Sequence, residues 1–159
     1  MPVLALIDAA ALLPMRGALL GLDLGTKTIG VAASDPDRRV AAPVETIARQ
    51  RFNLDAKRIL ELAAERKAAG LVLGLPINMD GSEGPRAQST RAFARNLAQL
   101  TELPIALWDE RLSTAAVERA LIDADASRAK RKAVIDQHAA TFILQGALDR
   151  LARGQLGAP

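Results

Sequence analysis

Three carboxylates, Asp23, Glu110 and Asp136, are spaced along the chain in a way that suits metal-assisted hydrolysis. Asp23 interrupts the apolar run Leu19-Leu20-Gly21-Leu22 just before the turn Gly25-Thr26-Lys27-Thr28. An ionised carboxylate there is costly to desolvate without a partnering cation, metal ion or phosphate-bearing ligand. Glu110 follows the short apolar run Ile105-Ala106-Leu107-Trp108 within Asp109-Glu110-Arg111. Asp136 shares one helix face with Ala140, Ile143 and Ala147 by i, i+4, i+7 spacing. Three like-charged oxygen donors repel one another unless a cation is bound, and hard ions such as Mg²⁺ or Mn²⁺ prefer an all-oxygen site. Two such ions roughly 4 Å apart activate a water and stabilise the leaving oxygen of a phosphodiester. That chemistry needs no His, Cys or Ser nucleophile, which suits a chain with one His and no Cys.

Each carboxylate alone has an ordinary reading. Asp23 could cap the turn that follows it. Glu110 beside Arg111 could form a surface ion pair of little energy. Asp136 could favour the start of its helix through the helix dipole. What points to a site is their joint placement on a first strand, a later strand end and the final helix. In open α/β sheets, ligands gather at the carboxyl ends of parallel strands.

The elements that must position them read as follows. Two apolar runs around the Gly-Thr-Lys-Thr turn form a hairpin. Residues 40–48 read as a third strand, with Pro43 placing it at an edge or an irregularity. Residues 52–69 read as an amphipathic helix ended by Gly70, and 71–75 as a strand buried on both faces. A turn-rich loop over 76–84 leads to a helix from Pro85 to about Leu100. The strand over 105–108 precedes a helix over 113–124 with Ser113 as N-cap, a basic link over 125–132, and a last helix over 133–152. Ile135, Ala139, Phe142, Ile143 and Gly146 mark the apolar face of that last helix. The sequence thus predicts one α/β domain over 18–152, a mixed sheet flanked by helices, with a flexible tail over 153–159. Residues 1–17 read as an N-terminal extension outside the core, either loose or an added helical turn, and Met15 is an alternative natural start.

Composition narrows the function. The 159 residues suffice for one domain with a real core. A net charge of +3 and an estimated pI of 9.8 permit nucleic-acid binding without demanding it. Without cysteine there is no disulfide, thiolate zinc site or thiol nucleophile, which suits a cytoplasmic protein. The stretch 3–15 lacks a basic start, contains Asp8 and is too short to span a bilayer, so no signal peptide or membrane partner is expected. Aromatic residues make up only 3%, which argues against a base-stacking platform and for contacts to phosphates and helical shape.

Four segments in order carry a resemblance: GLDLGTKTIGVAASD, VLGLPINMDGSEG, DERLST and DQHAATFILQ. Together they resemble the RuvX/YqgF family over about residues 18–152. The resemblance implies an RNase H-like fold related to RuvC Holliday junction resolvases. It also implies a metal-dependent nuclease that matures the 5′ end of pre-16S ribosomal RNA or resolves four-way DNA junctions. Its acidic triad falls on Asp23, Glu110 and Asp136, as metal ligands and catalytic residues.

Around that triad, Lys27 could steer a phosphate or be a solvated turn lysine. Asn78 and Arg86, on and beside the long loop, could line a substrate groove, although Asp80-Gly81 and Ser82 are also ordinary turn chemistry. Arg111 could neutralise the acids or contact the scissile phosphate. Arg128, Lys130, Arg131 and Lys132 form the densest basic run, a solvated face by itself but a nucleic-acid contact beside such a site. His138 and Trp108 read as packing residues, and Ser113 and Thr114 as a helix cap. Symmetric junction cutting would require a homodimer, for which the sequence offers no clear element. Two rivals remain: a non-catalytic RNA-binding module on the same scaffold, and a sugar-kinase or actin-like ATP site, which needs two lobes that 159 residues cannot supply.

Overall fold

The computed structural model describes residues 3–111 and 128–157, without the side chains of 128–137 and 155–157. The elements are β1 (Val3–Ala5), α1 (Leu6–Ala10), β2 (Ala18–Leu24), β3 (Thr28–Ser34), β4 (Ala41–Ala48), α2 (Phe52–Glu65), β5 (Ala68–Leu75), α3 (Pro85–Ala98), β6 (Ile105–Asp109) and α4 (Arg128–Gly157). They form a six-stranded mixed sheet in the order β1-β6-β5-β2-β3-β4. Strands β1, β6, β5 and β2 run parallel, and β3 is antiparallel to both of its neighbours. The helix expected over 113–124, with Ser113 and Thr114, lies outside the described residues.

Alternation along β2 divides the core. Leu20, Leu22 and Leu24 face α2 and α3, packing with Ile59, Leu62, Phe93 and Leu97. Leu19 faces the other way, with Val72, Ala106 and Trp108, onto Ala140, Ile143, Leu144 and Leu148 of α4. The buried stripe of α4 is therefore 140, 143, 144, 147 and 148, which holds the expected face of Ala140, Ile143 and Ala147 and lies about one residue round from Ala139, Phe142 and Gly146. Phe142 and Gly146 are only half-buried, and Ile135 is outside the described side chains.

Several boundaries differ for local reasons. Helix α2 stops four residues short of the expected end because Lys67 adopts a positive φ of 51°. Its N–H bonds to the Ala64 carbonyl at 3.1 Å, which closes the last turn. Gly70 is then part of β5 instead of ending a helix. Residues 128–132, read as a link, form the first turns of α4. Strand β4 lies at the sheet edge, and the register with β3 shifts beside Pro43, as its missing N–H requires.

The N-terminal stretch does more than the sequence suggested. Val3, Leu4 and Ala5 pair in parallel with Ile105, Ala106 and Leu107, adding a sixth strand. Leu6 and Ala9 of α1 are buried against the α4 side of the core. Leu13 then packs over Gly70, where a Cβ would lie 2.8 Å from its Cδ2. Three strand residues are too few to show a period of two, so the pairing had no visible pattern.

Helix α4 rests directly on the sheet backbone. A Cβ at Gly21 would sit 2.7 Å from Leu144 Cβ and 3.2 Å from the Ala140 carbonyl oxygen. Neither neighbour is the free end of a flexible chain, so a side chain at Gly21 must lift the helix. Overpacking of this kind costs about 1–3 kcal/mol. Gly21→Ala is expected to lower unfolding stability by about 2 kcal/mol in urea titration with little change in slope. Unchanged stability would show that α4 has room to move.

Candidate active site at the carboxyl edge of the sheet

The site follows from strand register. Leu22 pairs with Leu73 and Leu73 with Leu107, so the next residues, Asp23, Gly74 and Trp108, run side by side across β2, β5 and β6. Asp23 continues the alternation of Leu19 and Gly21 and therefore faces α4. Opposite it in β3 is Gly30, where a Cβ would be 3.7 Å from Asp23 Cβ and 3.4 Å from Ala140 Cβ. Two residues past Trp108, Glu110 turns back over the middle strand. A Cβ at Gly74 would lie only 3.4 Å from Glu110 Oε2. The absent side chain at Gly74 makes room chiefly for Ile143, whose Cδ1 would lie 2.6 Å from such a Cβ, with the Glu110 carboxylate beside it.

Electrostatics mark the pair. The Glu110 carboxyl is pushed above its ordinary range, first by partial burial and next by the negative charge of Asp23. Arg86, at the second residue of α3, pulls in the opposite direction, and Asp109 adds a smaller upward push. The adjacent carboxylate behaves differently. Asp109 is held below its usual range, chiefly by hydrogen bonds from the Arg111 side chain. Neighbouring acids on the two faces of one strand end have thus been given opposite environments.

Arg111 is spent on structure as well as charge. Its Nη2 donates to Asp109 Oδ2 at 2.7 Å, and its Nε to Oδ1 at 3.0 Å. Its Nη1 donates to the carbonyls of Asn78 and Met79 at 3.2 and 3.4 Å. The arginine therefore ties the end of β6 to the loop after β5. Within that loop Asn78 Nδ2 donates to Ser82 Oγ at 3.1 Å. Asp80 Oδ1 accepts from the Ser82 N–H and hydroxyl at 2.9 and 2.6 Å, which lowers the Asp80 carboxyl. Gly81, with φ of 89°, completes the turn.

The other candidates distribute around this edge. Lys27 is exposed on the turn that follows Asp23 in β2. Arg86 is exposed at the start of α3. Arg128, Lys130, Arg131, Lys132 and Asp136 lie on the first turns of α4, and their side chains are outside the described ones. His138 departs from helical geometry, with φ of −118° and ψ of 15°, between Asp136 and the part of α4 packed on the sheet. Its ring stands edge-on to Phe142 at 6.2 Å. Trp108 is buried beneath α4.

Among the described residues no three His, Cys, Asp or Glu side chains gather at one point. Asp23 and Glu110 nonetheless supply an all-oxygen donor set whose mutual repulsion a hard divalent cation would relieve, so the residues present fit such an ion. Sequence reasoning missed Gly74, hidden in an apolar run, although a glycine inside a strand is itself a signal of close approach. Also among the described residues, no helix is long and apolar enough to cross a membrane.

Comparison with known proteins agrees with this architecture. A protein of Rhodopseudomonas palustris (strain BisB5) is 77% identical over 150 residues, covering 94% of each chain. One of Bradyrhizobium diazoefficiens is 74% identical over 155 residues, covering 98% of this chain and 96% of its own. Both carry the name "Putative pre-16S rRNA nuclease". Among solved structures, the yeast mitochondrial Holliday junction resolvase Ydc2 superposes with a TM-score of 0.57 at 11% identity, over 96% of this chain and 86% of its own. The T. thermophilus RuvC in complex with Holliday junction substrate gives 0.56 at 12%, over 86% and 96%. These neighbours share the RNase H-like fold. Residues 17–150 match the RuvX family, described as Holliday junction resolvase, and this chain belongs to that family.

Proposed function

We propose that this protein is a metal-dependent endonuclease that hydrolyses phosphodiesters of structured nucleic acid, acting in 5′-end processing of pre-16S rRNA. The observation that carries the reading is the pairing of Glu110 with Asp23 at the carboxyl edge of the sheet, near enough for the charge of Asp23 to raise the Glu110 carboxyl. Hydrolysis by acids and a bound metal needs no cysteine or histidine dyad, which suits a chain with no Cys and one His.

Asp23 and Glu110, completed by Asp136 from α4, would hold Mg²⁺ or Mn²⁺ in a two-metal type of site. A bound divalent ion there supplies Lewis-acid polarisation of the phosphoryl oxygen and lowers the pKa of a water. Arg86 and Lys27 flank the acids and balance the charge of an incoming phosphate. Arg111 and Asn78 hold the loop that forms one wall, and either could also meet the nucleic-acid backbone. Arg128, Lys130, Arg131 and Lys132 give the start of α4 a basic surface for phosphates beyond the scissile one. Rare aromatics make phosphate and shape contacts the main source of affinity. Processing of ribosomal RNA would place the protein in the cytoplasm.

Four-way junction resolution is the second reading, supported by the description of the family. Paired cuts would require two sites related by symmetry, and hence a homodimer.

The deciding assay presents a pre-16S 5′-leader RNA and a synthetic four-way DNA junction to wild type and Asp23→Asn, each with Mg²⁺, Mn²⁺ or EDTA. Wild type is expected to cut the RNA at a discrete site with either metal and not in EDTA, and Asp23→Asn to lose about 10³-fold or more. Paired symmetric nicks in the junction alone would select the second reading. Binding without cutting in any metal would leave a scaffold without catalysis, and full activity in Asp23→Asn would overturn the site.

A second prediction concerns stability. A carboxyl raised in the folded state binds its proton more readily there than in the unfolded chain. Glu110 therefore destabilises the fold progressively as pH rises from the ordinary glutamate range through its raised value. In EDTA, Glu110→Gln is expected to raise Tm at pH 8 by about 2–4 °C, with the gain fading below about pH 4. Added Mg²⁺ should then raise the wild-type Tm and leave the variant nearly unmoved. A gain that is absent at pH 8, or that grows in acid, contradicts the assignment.

A further inference from the structure

The turn that carries Lys27 is held by a residue far from it in sequence. Arg49, just past β4, donates its backbone N–H to the Lys27 carbonyl at 2.9 Å and its Nη1 to the Gly25 carbonyl at 2.6 Å. Those two carbonyls bracket Thr26, and Gly25 N–H closes the turn on the Thr28 carbonyl at 2.9 Å. The guanidinium carbon lies 5.8 Å from the centroid of Phe93, a buried ring of α3 that Phe52 meets edge-on at 5.1 Å. One half-buried side chain thus fastens an exposed turn to a rigid aromatic anchor.

We infer that Arg49 is a positioning residue for nucleic-acid binding, fixing the Gly25–Lys27 turn so that Lys27 meets a phosphate beside Asp23. This rests on the proposed nuclease reading of the same edge. The physical reason is economy of motion. Thr26 and Lys27 are exposed, so the clasp adds little to the core, yet the turn begins two residues after Asp23. A free turn would let a flexible lysine wander and would spread the cation over many positions. The guanidinium also engages a carbonyl lone pair that would otherwise repel an approaching phosphate. A charge-assisted hydrogen bond of this length is among the stronger kind.

The test is a mutant cycle of wild type, Arg49→Ala, Lys27→Ala and the double variant. Binding of a fluorescent pre-16S 5′-leader RNA and a fluorescent four-way DNA junction is read in EDTA, kcat and KM in Mg²⁺, and Tm alongside. The backbone bond survives Arg49→Ala, so only the guanidinium is removed. Arg49→Ala is expected to weaken binding and raise KM about tenfold, with kcat within about threefold and Tm within about 2 °C. Arg49→Lys should recover much of this, because an ammonium group can also reach the Gly25 carbonyl. The double variant should bind no worse than Lys27→Ala. Effects that multiply in the double variant, unchanged binding in Lys27→Ala, or losses that track Tm would overturn the inference. With Asp23→Asn inactive, any of those results leaves the nuclease site standing. Cleavage retained by Asp23→Asn rejects that site instead, and wild type that binds neither nucleic acid rejects both.

Discussion

The close contact between α4 and the sheet is the constraint on which the rest of the molecule depends. A helix of ordinary spacing would rest on side chains, and its residues would stand well above the strand edge. Here Gly21, Gly30 and Gly74 strip the middle strands of side chains on one face, and Ala140, Ile143 and Leu144 settle into the space. The same lane ends at Gly74, where Ile143 settles with the Glu110 carboxylate beside it. The small residues that let α4 approach thus lie beside the place where the two carboxylates meet.

That meeting works against the fold. Partial burial and the charge of Asp23 both penalise ionised Glu110, while Arg86 offsets part of the cost. Asp109, next in sequence, shows what the protein does with an acid that serves structure: it is paired with Arg111 and its carboxyl is lowered. Sites that bind and react often keep charge in places that stability alone would not choose. On the proposed nuclease reading, the contrast between residues 109 and 110 is a local instance of that rule.

Much of this was legible from residue types alone. Asp23 stood out as the acid that interrupts the apolar run before the turn, and the apolar run over 105–108 ended at an acid. The mixed sheet, the edge position of Pro43 and the helix from Pro85 followed from turn chemistry and periodicity. What escaped depended on partners distant in sequence. Lys67 ends α2 through a backbone conformation that its side chain does not announce. Arg49 reaches back 24 positions to Gly25, a contact created by hairpin geometry and invisible to any local pattern. The spacing of Ala140, Ile143 and Ala147 marked the buried stripe of α4, while Ala139, Phe142 and Gly146 fell about one residue round from it because small residues on both sides blur a helical face.

The order of strands has a consequence for how the chain comes together. The partner of Val3–Ala5, Ile105–Leu107, is made about a hundred residues after it. Until then β1 has no edge to join, and Leu6 and Ala9 have only part of their burial surface, since that surface includes Trp108 and Leu148. The central strands β2, β3 and β4 can pair as consecutive hairpins long before. Early folding would therefore begin in the middle of the sheet. Strand β1 and helix α1 would be added only after β6 and α4 are made.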